Sequence, residues 1–178
     1  MGTGQTMITL GAFVLLMTML VTFYRLLAQS GETMDSAQAG ITTVTLATSV
    51  EEIAQGLAFD EATIDSNITA ATINLLTAPG SLGRENPPPI DEPDEDKIQH
   101  FDDFDDLNNF SYIDSTLGGT LGKYKLSFQV FYVDPTDIGQ VRNNRTFTKR
   151  LDMKIWRFFP PSQDTLKLSL VSGYFHFD

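Results

Sequence analysis

Cysteine is absent from this chain, which removes disulfides, thiolate catalysis, iron–sulfur clusters and thiolate zinc sites together. The compartment is not fixed by that absence, because many secreted proteins also do without disulfides. Histidine occurs only as His100 and His176, too few for a multi-histidine metal cage. Basic residues are scarce as well, 12 against 23 acidic, for a formal charge of -11. Nucleic-acid phosphates call for clustered Lys and Arg, so no nucleic-acid-binding patch is expected. The G-x-S-x-G, phosphate-loop and H-E-x-x-H patterns are all missing, and neither histidine has an obvious nucleophile or ligand partner. The expectation is a protein that is not an enzyme and requires no cofactor. No internal repeat occurs at solenoid or propeller periods. At roughly 100–200 residues per domain, the 178 residues leave room for one modest folded domain.

Charge is also missing from the first 24 residues; every charged side chain lies from Arg25 onward. Met7–Tyr24 is an uncharged, mainly apolar run that Leu26 and Leu27 extend past a single arginine. About 20 apolar residues at 1.5 Å each span a hydrocarbon core of about 30 Å. Thr9, Thr18 and Thr22 do not veto membrane burial, because their hydroxyls can return to the helix backbone. Phe23, Tyr24 and Arg25 form an interfacial collar. A secretory signal is the competing reading, but it wants a basic start, a shorter apolar core and a small-residue cleavage site. The start here is MGTGQT, and Ala28-Gln29-Ser30 is a weak cleavage signal. A retained anchor is therefore expected, with Met7–Leu27 in the membrane.

Beyond the anchor no proline interrupts Ala28–Phe59. Leu46, Val50, Ile53 and Leu57 recur at helical spacing, and Met34, Ala37, Ile41 and Val44 make an earlier stripe. Gly31, Gly40 and Gly56 each cost about 1 kcal/mol against Ala and mark candidate kinks. The pattern predicts one long helix to about residue 59, half in lipid and half amphipathic, on the order of 75–80 Å if unbroken. Glu61–Leu76 fits neither helical nor strand period. Ala78–Lys97 then carries five prolines, two glycines and a cluster of acids, the composition of a loop or arm.

The C-terminal third alternates. Tyr124, Leu126, Phe128, Val130 and Tyr132 stand against Lys125, Ser127 and Gln129. Leu151, Met153 and Ile155 within Thr146–Phe159, and Leu166, Leu168 and Leu170 within Thr165–Phe177, repeat the pattern. Period two predicts half-buried strands with one wet face. Turn residues at Asp134-Pro135, Asn143-Asn144 and Pro160-Pro161 would join them into an antiparallel meander. The fold class expected is α+β: a long N-terminal helix, hydrophobic then amphipathic, packed on a small antiparallel sheet. Four segments follow: 1–27 hydrophobic helix, 28–77 amphipathic helix and helix-to-loop region, 78–123 Pro-rich acidic loop and Asp-rich turn, 124–178 meander.

The most distinctive string runs Phe101-Asp102-Asp103-Phe104-Asp105-Asp106-Leu107-Asn108-Asn109-Phe110. Crowded carboxylates repel unless solvated or neutralised, and Ca²⁺ prefers oxygen ligands of this type. Asp102, Asp103, Asp105, Asp106 and Asn108 are the candidate Ca²⁺ ligands, although the spacing is not that of an EF-hand. The alternative is an Asx-rich turn whose side chains cap backbone N–H groups, pinned to the core by Phe101, Phe104 and Phe110.

An apolar N-terminal helix continuing as an amphipathic one, then a loop and a small antiparallel sheet, resembles the type IV pilins and pseudopilins. The acidic string is similar to an FDDVDDYNGY-type segment of pilin-like proteins from bacterial mannose-sensitive pilus systems. The opening, a short GQ before an apolar run, also resembles membrane-anchored pilin-like proteins of tight-adherence systems. The family's basic leader and fifth-position Glu have no counterpart; with Met1 as first residue the fifth position is Gln5, the neutral isostere. The resemblance implies a structural subunit at the bacterial cell surface, first a single-pass membrane precursor and then part of an extracellular homopolymer. The assembly residues implied are Gln5, Gly11, Phe13, Leu16, Leu20, Phe23 and Arg25. Gly2, Gly4 and Gly11 with Ala12 would permit close helix approach, and Arg25 and Glu32 share a helix face. The rivals are a monomeric membrane-anchored surface domain that binds Ca²⁺ through the acidic turn, and a secreted soluble domain.

Overall fold

The structure, a computed structural model, describes residues 2–85, 95–115, 122–162 and 164–175. Residues 86–94 of the Pro-rich arm, His176 and the expected strand end at Phe177 lie outside them. The architecture is α+β: a long N-terminal apolar helix and a five-stranded antiparallel sheet, an arrangement like that of pilins. By internal packing the chain divides into Met1–Ile41 and Thr42–Asp178.

Helix α1 covers Thr3–Gly56 as a single element. Gly31 and Gly40 do not break it; a Cβ built on either meets nothing within 4 Å, so their cost is one of propensity alone. Within Thr42–Asp178 the helix buries one face, formed by Thr42, Leu46, Ala47, Val50 and Ala54, with Ile53 and Leu57 at its margin. Burying side chains of this size contributes about 1.5–3 kcal/mol each. The covering face is shorter than the periodicity suggested, because Met34 and Ile41 of the earlier stripe are 74% and 69% exposed. The helix also stops short of residue 59. Past Gly56 the backbone turns to the acidic string: Ala58 N–H donates to the Asp102 carbonyl at 2.8 Å, and Phe104 N–H donates to the Ala58 carbonyl at 2.9 Å. A short helix α2 (Ala62–Asp65) and a 3₁₀ turn at Ile73–Leu75 account for the ambiguous segment.

The strands are β1 (Ser111–Asp114), β2 (Lys123–Asp134), β3 (Asp137–Val141), β4 (Thr148–Phe159) and β5 (Thr165–Gly173), in the order β1-β2-β4-β5 with β3 folded back on β2. The three alternating segments are β2, β4 and β5. Register places Leu126, Phe128 and Val130 opposite Ile155, Met153 and Leu151, and these opposite Leu166, Leu168 and Leu170. With α1 and Phe101, Phe104, Leu107 and Phe110 these faces build the main core. Strand β5 is the edge, and its Leu168 remains 42% exposed. Before β2 the chain passes Gly122 at φ +113, where a Cβ would collide with the Phe159 carbonyl; only glycine serves there. A second cluster, Phe59, Ile68, Leu76 and Tyr132, sits under α2 and the 3₁₀ turn.

Candidate functional site

Two regions carry chemistry that the fold alone does not require. The first is the apolar half of α1. Every residue from 2 to 38 is exposed, including Phe13, Leu16, Leu20 and Phe23 at 67%, 56%, 47% and 58%. By length and composition this helix can cross a membrane. Its hydroxyls are satisfied internally: Thr6, Thr9, Thr18 and Thr22 donate to the carbonyls of Thr3, Thr6, Leu15 and Thr18 at 2.8–2.9 Å. That makes four polar side chains compatible with an apolar surrounding. Gln5 and Gly11 lie on this stretch; a Cβ at Gly11 meets nothing within 4 Å. Arg25 and Glu32 are both exposed and form no ion pair with each other, as expected for side chains about 10 Å apart along a helix.

The second region is the acidic string, which folds as a 3₁₀ turn at Asp105–Leu107. Asp103 Oδ1 accepts from Asp105 N–H and Asp106 N–H at 2.8 and 3.1 Å. Asp106 Oδ2 accepts in return from Asp102 N–H and Asp103 N–H at 3.2 and 3.3 Å. The two carboxylates thus cap the N-terminal side of one turn reciprocally, which accounts for the repeated Asp-Asp pairs. Asn108 ties three segments together: its Oδ1 accepts from Val130 N–H and its Nδ2 donates to the Leu82 carbonyl, both at 2.9 Å. Asn109 follows in the left-handed region at φ 57, which Asn tolerates better than most side chains.

Asp105 faces the other way, into the protein, and pairs with Lys149 from β4. Lys149 is wholly buried and also contacts Asp60 Oδ2 at 2.8 Å and the Phe59 carbonyl at 2.7 Å. The Phe59 and Tyr132 rings cover the ammonium at 4.7 and 5.3 Å. Asp60 is held further by Thr77 N–H at 3.0 Å and by the Tyr132 hydroxyl at 3.1 Å. This buried polar node joins the helix exit, the acidic turn and the sheet.

Burial sets the electrostatics of the turn. It pushes Asp103 up to about 9, with the Asp105 and Asp106 charges adding and Lys149 opposing. Asp105 is raised by burial against the pull of Lys149, and burial lifts Asp106 to about 6. Crowded acids are thereby relieved in three ways at once: retained protons, backbone N–H donors and one buried lysine. Outside the string, Glu95 is pushed up to about 8, first by burial and then by the Asp106 and Glu85 carboxylates.

Of the five candidate calcium ligands, Asp103, Asp105, Asp106 and Asn108 each have an oxygen engaged by donors of the protein itself, and one buried oxygen each on Asp102, Asp103, Asp105 and Asp106 is left without a donor among the described residues. Asp106 alone presents a carboxylate oxygen to a shared acidic cluster, and its companions there are Glu85 and Glu95. Those two escaped the sequence reading because they lie within the Pro-rich arm, whose composition reads as loop, and outside the acidic string. Lys149 escaped it as well; in an alternating strand it occupies an inward position where apolar residues precede and follow, and that misplaced charge was the available signal. Compared with known proteins, the chain matches no family model, no curated protein and no solved structure.

Proposed function

We propose that this chain is a non-catalytic structural subunit of a pilus-like or pseudopilus-like filament. The observation that carries the reading is an uncharged helical stretch, Met7–Tyr24, apolar on all sides and exposed along its whole length. A helix hydrophobic all round needs an apolar surrounding on every side. A bilayer supplies it first, through Met7–Leu27. Identical helices packed in parallel supply it afterwards, and head-to-tail packing with a rotation that does not close generates a helical fibre. Gly11 and Ala12 admit close approach of a neighbouring helix, and Phe13, Leu16, Leu20 and Phe23 fill the space between copies. Gln5 and Arg25 mark the two ends of this contact zone, and on this reading the assembled fibre belongs to a bacterial cell surface.

Negative-stain microscopy of material sheared from cells, with the fibres identified by mass spectrometry, tests the reading. Regular fibres composed mainly of this chain are expected. Absence of fibres, with the chain recovered only as detergent-soluble monomers, overturns it in favour of a membrane-anchored surface domain. N-terminal sequencing of the same material is expected to recover the apolar stretch intact; a mature chain beginning near Gln29 removes the polymerising element.

A further inference from the structure

The acidic string does not stand alone. Carboxylate oxygens of Glu85, Glu95 and Asp106 lie within 4.8 Å of one another. Glu95 and Asp106 are only 6% and 1% exposed. One oxygen of each is accounted for: Glu95 Oε2 accepts from Glu85 N–H at 3.0 Å, and Asp106 Oδ2 from the turn backbone. The other oxygens, Glu95 Oε1 and Asp106 Oδ1, are sealed from solvent and receive no donor from outside the cluster among the described residues, while the two carboxyl groups lie in hydrogen-bonding reach of each other. A buried anionic oxygen without a partner is costly, and here two of them share one cluster.

Nearby cations are engaged elsewhere. Arg84 donates to the Glu95 carbonyl at 3.1 Å and lies over the Phe110 ring at 5.2 Å. Lys149 is spent on Asp60 and Asp105, and His100 contacts Asp96 at 3.5 Å. Among the described residues none of the ion pairs includes Glu85, Glu95 or Asp106. No protein cation among the described residues neutralises this cluster, so a proton held between Glu95 and Asp106 or a metal ion from solution has to do so.

We propose that Glu85, Glu95 and Asp106 form a Ca²⁺ site that fastens both ends of the arm between Glu85 and Glu95 to the Asp-rich turn. The donor set is oxygen only, which selects a hard cation. At Ca–O distances of about 2.3–2.6 Å, ligand oxygens on opposite sides of the ion lie about 5 Å apart, so the observed spacing fits a common ion. Glu85 is half-buried, which leaves one side open for entry of the ion and for the waters that complete a coordination number of six to eight. Calcium accepts such an irregular, partly hydrated shell more readily than Mg²⁺, which demands near-octahedral geometry. Binding would replace two orphaned oxygens and a carboxylate repulsion by metal–oxygen bonds. The inference is independent of the filament reading, since the site lies wholly within Thr42–Asp178 and involves no residue of the apolar half of α1.

The test uses the full chain in detergent, with CaCl₂ or MgCl₂ as the probe, read by isothermal titration calorimetry and by thermal unfolding. One Ca²⁺ per chain is expected, with a midpoint raised by roughly 5–10 °C at a hundredfold excess over Kd. Glu95→Gln, which keeps the oxygen that accepts Glu85 N–H, is expected to weaken Ca²⁺ binding by about tenfold or more. Should that variant fail to fold, Glu85→Gln at the half-buried position decides by the same loss. No heat and no midpoint rise in the wild type overturns the site and leaves a proton shared between Glu95 and Asp106 in its place. An undiminished Ca²⁺ response in the variants, or an equal response to Mg²⁺, overturns it too.

Discussion

The two stretches of α1 on either side of Thr42 have the same backbone and opposite surroundings. After Thr42 the apolar residues keep to one face, and the sheet covers that face with Tyr124, Leu126, Phe128, Val130, Leu151, Met153 and Ile155. Over Met7–Tyr24, by contrast, apolar side chains surround the axis and every one of them is exposed. Helicity is common to both, so it does not decide burial. What decides is the angular distribution of apolar residues, a stripe asking for one partner and a full circumference asking for a medium.

Removing residues 1–28 tests this contrast most severely. The shortened chain is expected to lose membrane association altogether, purify without detergent and still unfold cooperatively. Persistent membrane binding would mean that the Thr42–Asp178 unit carries a lipid-binding surface of its own. Next in size is Lys149→Met, which leaves Asp60 and Asp105 buried without their cation. A loss of about 3–5 kcal/mol in urea unfolding is expected, partly recovered by adding Asp105→Asn. A pair of alanine substitutions then compares the stretches directly. Leu46→Ala is expected to cost about 2–5 kcal/mol, whereas Met34→Ala stays within about 0.5 kcal/mol; equal costs would erase the distinction.

The smallest effect concerns pH. Burial, with Asp114 adding, pushes Tyr112 up to about 12, and burial raises Tyr132 as well, with Asp60 adding. An unfolded tyrosine ionises near 10. The folded state therefore holds more protons above that pH, and stability is intact below about 10 and falls as the pH rises through about 12. Phenolate absorbance of these two residues is expected to appear together with unfolding rather than ahead of it.

Strands β2, β4 and β5 were legible because their alternation records one buried and one wet face. Strand β3 (Asp137–Val141) was not, since all five of its residues are exposed and carry no period to read. Strand β1 spans four residues and alternates only between exposed and half-buried. The phenylalanines of the acidic string were read correctly as anchors: Phe101, Phe104 and Phe110 are all buried. The stripe Met34–Val44 has helical spacing without a covering surface, because periodicity reports a face and not what meets it. The carboxylate cluster was least legible of all. Asp106 stood out within its string, but Glu85 and Glu95 come to it only in the folded chain, where Glu85 N–H donates to Glu95 Oε2.

The threonine hydroxyls of the apolar helix have a mechanical corollary. With each one turned inward to its own helix carbonyl, adjoining rods of the proposed bundle would meet through hydrocarbon contours, with no lateral polar latch from these residues to set their relative height. Contacts of that kind resist separation but oppose slippage weakly. A fibre held this way is expected to lengthen under pulling force before it breaks and to shorten again on release, which an optical-trap extension curve would record.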